Sequence, residues 1–128
     1  MEVLVHGLPE GGVLTPAPHI QDDDWDEAVA VNMTANMRLI RTCAPLLLAS
    51  DAGRAVFVTS RVITRPGAFF GIYAATKEGI RGLSRVAARE WGPHGIRVNV
   101  ICPAALSESA ESVKLCGCLS LDVAGKSA

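Results

Sequence analysis

Three short apolar runs, separated by two long amphipathic stretches, set the plan of this chain. The runs are Val3-Leu4-Val5, Ala55-Val56-Phe57-Val58-Thr59-Ser60 and Ile96-Arg97-Val98-Asn99-Val100-Ile101. Each has the length of a strand, and the middle one is nearly continuous in apolar residues, as in a parallel strand covered on both faces. The first amphipathic stretch predicts a helix starting near Asp22-Asp23-Asp24, where one acid is expected to cap the exposed N–H groups and all three suit the positive end of the dipole. Trp25, Val29, Met33, Ile40, Ala44 and Leu47 then recur at helical steps and predict a buried stripe. Asn32 and Asn36 fall beside it, so each needs a hydrogen-bond partner. Pro45 is expected to bend or tighten the last turns, and Asp51-Ala52-Gly53 ends the helix.

The second amphipathic stretch predicts a helix from Gly71 to about Trp91, stopped by Gly92-Pro93-His94-Gly95. One face carries Ala74, Ala75, Gly79, Gly82, Leu83, Val86 and Ala87, small enough for another helix to approach, inside the subunit or across a dimer. Between these elements lie a Pro- and Gly-rich loop over 7–21 and a looser segment over 61–70. The order strand, helix, strand, helix, strand predicts an α/β doubly wound parallel sheet. Ligands of such sheets collect beyond the carboxyl ends of the strands. Ser60 and Pro103 lie at two of those ends, and the helix from Gly71 starts just after one of them.

Composition narrows the classes. With 128 residues, 49% hydrophobic and 20% charged, the chain has the make-up of one globular domain. A formal net charge of −1 offers no field for nucleic acid or an anionic membrane. No apolar run is long enough to span a bilayer, and Met1 to His6 is too short for a signal peptide, so a cytoplasmic location is expected. Of the four cysteines, Cys43 and Cys102 occupy places natural for small buried hydrophobes. Cys116-Gly117-Cys118 lacks a second ligand pair, so no metal site is expected.

The candidate chemistry sits at the start of the second helix. Tyr73 is the only tyrosine, and Lys77 stands one helical turn later on the same face. An ammonium there favours the phenolate, which suits the phenol to give a proton to a carbonyl oxygen or take one from an alcohol. Taken alone, the pair also fits an ordinary helix surface. Ser60 alone fits a strand-end serine satisfied by backbone, and Asn32 a buried helix amide.

Together these residues resemble the C-terminal half of a short-chain dehydrogenase/reductase. Tyr73 and Lys77 match the family's Y-x-x-x-K, Ser60 stands thirteen residues before the tyrosine where the family has a serine, and Asn32 matches its helix asparagine. The run from Gly95 to Pro103 resembles the strand leading to the nicotinamide-contacting loop. The resemblance covers about residues 3–106 as a partial Rossmann-like domain and leaves 107–128 as a tail of uncertain structure.

What the resemblance implies is NAD- or NADP-dependent hydride transfer between a carbonyl and an alcohol on a small molecule. Tyr73 would be the general acid or base, Lys77 would support it and hold the nicotinamide ribose, and Ser60 would steady the substrate oxygen. Asn32 would hold a proton-relaying water, and Pro103 and Ala104 would lie at the cofactor. The family's pairing of subunits through the two long helices implies a homo-oligomer. The departures are as specific. No Gly-rich fingerprint occurs, and Val3-Leu4-Val5 resembles the family's fourth strand, so the pyrophosphate-binding part has no counterpart. The residue after Pro103, usually glycine, is Ala104. These departures motivate an alternative, a non-catalytic relative acting as a dimerisation module.

Overall fold

The computed structural model describes residues 2–6 and 14–103. Three parallel strands, β1 (Glu2–His6), β2 (Arg54–Val58) and β3 (Arg97–Ile101), pair in the order β1-β2-β3. The register sets Leu4 opposite Val56 and Val56 opposite Asn99. Between β1 and β2 run α1 (Asp22–Ala28), a π-helical segment (Val29–Thr34) and α2 (Ala35–Leu48). Between β2 and β3 runs α3 (Gly71–Trp91). Short 3-10 turns occupy Ala17–His19, Arg61–Ile63 and Gly92–His94. This is the expected strand-helix-strand-helix-strand order, a partial Rossmann-like fold.

Both crossovers place their helices on one face of the sheet. Strands alternate their side chains, so Ala55 and Phe57 of β2 point the same way as Val98 of β3. These meet Leu47 of α2 and Ile80, Ala87, Ala88 and Trp91 of α3 in a single apolar cluster. Phe57 and Ile80 are fully buried, and each contributes roughly 1.5–3 kcal/mol by leaving water. Parallel crossovers of one hand, advancing in one direction across the sheet, necessarily leave their helices on the same side. The opposite face carries Val56, Asn99 and Ile101, all half-buried.

Two sequence expectations for the first helix are corrected. The N-cap is Gln21 rather than an acid, and no side chain caps the free N–H groups. The three aspartates lie inside the first turn, where they act only through the dipole. Trp25 is 41% exposed rather than part of a buried stripe, whereas Leu47 is buried. A π segment also breaks the stripe's period. It closes with the Ala35 N–H on the carbonyl of Ala30, five residues back, so one residue is inserted into the 3.6 repeat. The faces before and after it are out of phase by about a quarter turn.

Turn chemistry follows the sequence more closely. Gly95 adopts φ 77°, the left-handed conformation that a glycine takes without a Cβ penalty, and it releases the chain into β3. Gly79 serves close approach instead: a Cβ there would fall 2.5 Å from Met33 Cε, so α3 and the π segment touch through the missing side chain.

Candidate active site

The head of α3 presents Tyr73 half-buried and Lys77 almost wholly buried, at 1% exposure. One helical turn brings Lys77 Nζ to 5.4 Å from the Tyr73 ring centroid, over its face. Burial disfavours the charged amine and lowers the Lys77 pKa from its ordinary value. A lysine held this deeply beside a partly open phenol is not the exposed surface pair that i, i+4 spacing usually means.

Ser60 follows β2 by two residues and caps the 3-10 turn Arg61–Ile63. Its hydroxyl accepts from the Val62 N–H at 3.3 Å, which uses one lone pair and leaves the proton and the other lone pair for a further partner. The turn packs against α3, so the serine and the tyrosine occupy neighbouring elements beyond the end of β2. The Thr59 hydroxyl, buried just before it, lies 3.3 Å from the Ile101 carbonyl and 3.0 Å from Cys102 Sγ, tying the ends of β2 and β3 together. Cys102 is buried, at 1% exposure, as its reading as a small buried hydrophobe expects.

Asn32 lies in the π segment, buried, and that segment packs on α3. Its backbone carbonyl accepts from Asn36 Nδ2, so the partner expected for Asn36 is the main chain of Asn32. The side-chain oxygens of both asparagines are buried without a hydrogen-bond partner among the described residues. Unpaired buried amide oxygens cost about 1–3 kcal/mol each. Polar groups kept at that cost on segments that pack against α3 mark acceptors with room for a donor. Pro103 is half-buried just past β3, and Ala104 lies outside the described residues.

The sequence reading missed two contributors. Asn36 was noticed only as a polar residue near a core stripe. Phe70, the N-cap of α3, sets its ring 6.5 Å from that of Tyr73 at 56°, a tilted aromatic pair. The signal for Phe70 was its place three residues before Tyr73, one helical turn away on the same side.

Among the described residues, then, a phenol, an amine, a hydroxyl and two unsatisfied amides come from elements that all touch α3. Known proteins resemble this chain in sequence and in fold. Residues 3–114 match the family model for short chain dehydrogenase. A 12alpha-hydroxysteroid dehydrogenase from a Clostridium species is 34% identical over 119 residues, covering 90% of this chain and 44% of the relative. A short chain dehydrogenase of Escherichia coli CFT073, solved in complex with NADPH, superposes with a TM-score of 0.72 at 36% identity, over 80% of this chain and 42% of that one. Carveol dehydrogenase of Mycobacterium avium, in complex with NAD, gives 0.74 at 28% identity, over 81% and 38%. The chain thus spans less than half the length of these relatives. With the matching model extending over most of its residues, the chain belongs to the short-chain dehydrogenase/reductase family.

Proposed function

We propose that this chain carries the proton-transfer half of an NAD(P)-dependent oxidoreductase acting between a carbonyl and an alcohol. The observation that carries the reading is the buried Lys77 amine over the face of the half-open Tyr73 ring. Tyr73 gives a proton to the carbonyl oxygen in reduction and takes it back in oxidation. The protonated amine of Lys77 favours negative charge on the phenol oxygen as the proton leaves. Ser60 offers its free proton to the substrate oxygen and steadies the developing alkoxide. Asn32 supplies buried acceptor capacity that orients a proton-relaying water towards Lys77.

A bound nicotinamide would supply or accept the hydride. The described residues fit the nicotinamide end of such a cofactor: Lys77 is a buried donor for ribose hydroxyls, and the carboxamide oxygens of Asn32 and Asn36 are acceptors still without donors. Pro103, at the end of β3, and Ala104 after it are proposed to lie alongside it. Relatives complexed with NADPH and with NAD support a nicotinamide cofactor of either kind. The exposed stripe Ala75, Gly82 and Val86 on α3 supports pairing of subunits through the long helices. No helix among the described residues is long and apolar enough to cross a membrane, which accords with the proposed cytoplasmic site of action.

The test is a titration of NADH and NADPH into the purified chain, followed by carbonyl reduction over a broad panel, with Tyr73→Phe as the control. The expected outcome is saturable binding and turnover that falls about 10²- to 10⁴-fold in the variant, the usual worth of a positioned proton donor. Binding of neither cofactor, or equal rates for Tyr73→Phe and the parent, rejects the proposal.

A further inference from the structure

The segment before α3 holds a bulky residue in a conformation that a bulky residue avoids. Phe69 has φ 70°, the only positive φ at a non-glycine among the described residues, and 54% of its surface is exposed. A phenylalanine in the left-handed region is a strained position that persists only when its surroundings hold it, and such positions gather at functional sites.

Its surroundings do hold it. The Phe69 carbonyl accepts from the Thr15 N–H at 3.2 Å, and Thr15 and Phe70 form an isolated parallel bridge. Phe70 is fixed in turn: a Cβ on Gly67 would lie 3.1 Å from its ring, so the ring rests on bare backbone, while its other neighbour is the Tyr73 ring. Leu14, adjacent to the bridge, is 58% exposed. Folding therefore orders Leu14, Phe69 and Phe70 around the Thr15–Phe70 bridge, with the Phe70 ring against Tyr73, and leaves the Leu14 and Phe69 side chains largely in water. Nothing in the core requires this, because none of the three belongs to the apolar cluster under the sheet.

We infer that Leu14, Phe69 and Phe70 form a preset apolar wall at the head of α3 that binds the carbon skeleton of the substrate, with Phe69 as its specificity-determining residue. The class that fits is an alicyclic or aromatic ketone or secondary alcohol, whose rings gain by covering exposed phenyl faces. A polyhydroxylated chain would lose water at the same surface and find no polar partners there. The inference rests on Tyr73 being the group that meets the substrate oxygen.

Binding is measured by amide NMR shifts at residues 69–73, with tetralone as the apolar probe and sorbitol as the polar one. Phe69→Gly and Phe69→Asn both suit the left-handed backbone, so each removes the ring without removing the turn, and their thermal midpoints should equal or exceed that of the parent. Saturable tetralone shifts that weaken about tenfold in both variants, with none from sorbitol, support the wall. Tetralone binding that is absent, or equal in parent and variants, overturns it, as does sorbitol binding as tightly as tetralone. Tyr73→Phe separates the two proposals. If it leaves tetralone affinity intact but also leaves turnover intact, the proton-donor reading fails and the wall is an apolar binding surface without a role in turnover, which overturns its assignment to the substrate.

Discussion

At the scale of single residues, the cost of burying Lys77 is the most informative quantity. Desolvation lowers its folded pKa below the ordinary 10.5, so between the two values the unfolded chain binds more protons than the folded one. Stability must therefore rise as pH climbs through the folded pKa towards 10.5, and the penalty is fully present below that window. Urea midpoints measured from neutrality upward should show that slope in the parent and lose it in Lys77→Met. Identical slopes in the two proteins would contradict a buried, depressed lysine. The amphipathic pattern could not have shown this. Spacing put Tyr73 and Lys77 on one face, but an i, i+4 pair reads the same whether its face meets water or protein. Asn32 and Asn36 illustrate the same gap from the other side. Sequence placed them near the core and demanded partners, and only coordinates show that one amide serves the other's main chain while both side-chain oxygens stay unmet among the described residues.

At the scale of elements, glycines separate close packing from open surface. Gly53 ends the turn into β2, and a Cβ there would lie 2.9 Å from the Leu47 carbonyl oxygen, a backbone atom that cannot swing aside. Gly82 on α3 has nothing among the described residues within 4 Å of the same position. Gly53→Ala should destabilise by about 1–3 kcal/mol through overpacking, whereas Gly82→Ala should stabilise by about 0.5–1 kcal/mol through helix propensity. Thermal melts of both variants check the pair, and a like sign for the two would count against the packing. The element order, α3 from Gly71 to Trp91 and the three strands were legible because apolar runs and Gly-Pro punctuation are local signals. The π segment was not. An inserted residue leaves composition untouched and shows only as a slip of phase, which a stripe drawn from Trp25 to Leu47 passes over. The candidate site was legible to the extent that its proposed residues sit at element ends: Ser60 after β2, Tyr73 at the start of α3, Pro103 after β3. Phe69 escaped because nothing local forces a phenylalanine into the left-handed region; a distant partner, Thr15, does.

At the scale of the whole molecule, the sheet has one finished face and one that is not. The finished face rests on Phe57, and Phe57→Ala should cost about 3–5 kcal/mol, a large part of the ~5–15 kcal/mol that a domain possesses. The other face leaves Val56, Asn99 and Ile101 half-exposed, and β1 pairs only with β2 among the described residues. An open parallel edge beside half-exposed Val56 and Ile101 favours association, because unpaired backbone groups and apolar surface both gain from a neighbour. Val56→Lys tests this separately from folding. Its side chain points away from the core cluster, so circular dichroism and the melting midpoint should stay close to those of the parent, while Phe57→Ala loses both. In sedimentation the parent should run heavier than the 13.5 kDa of one chain, and Val56→Lys should run lighter than the parent by the association that this face adds to helix pairing. A parent that already sediments as a monomer, or a Val56→Lys protein that melts like Phe57→Ala, would mean that this face is finished by the chain itself.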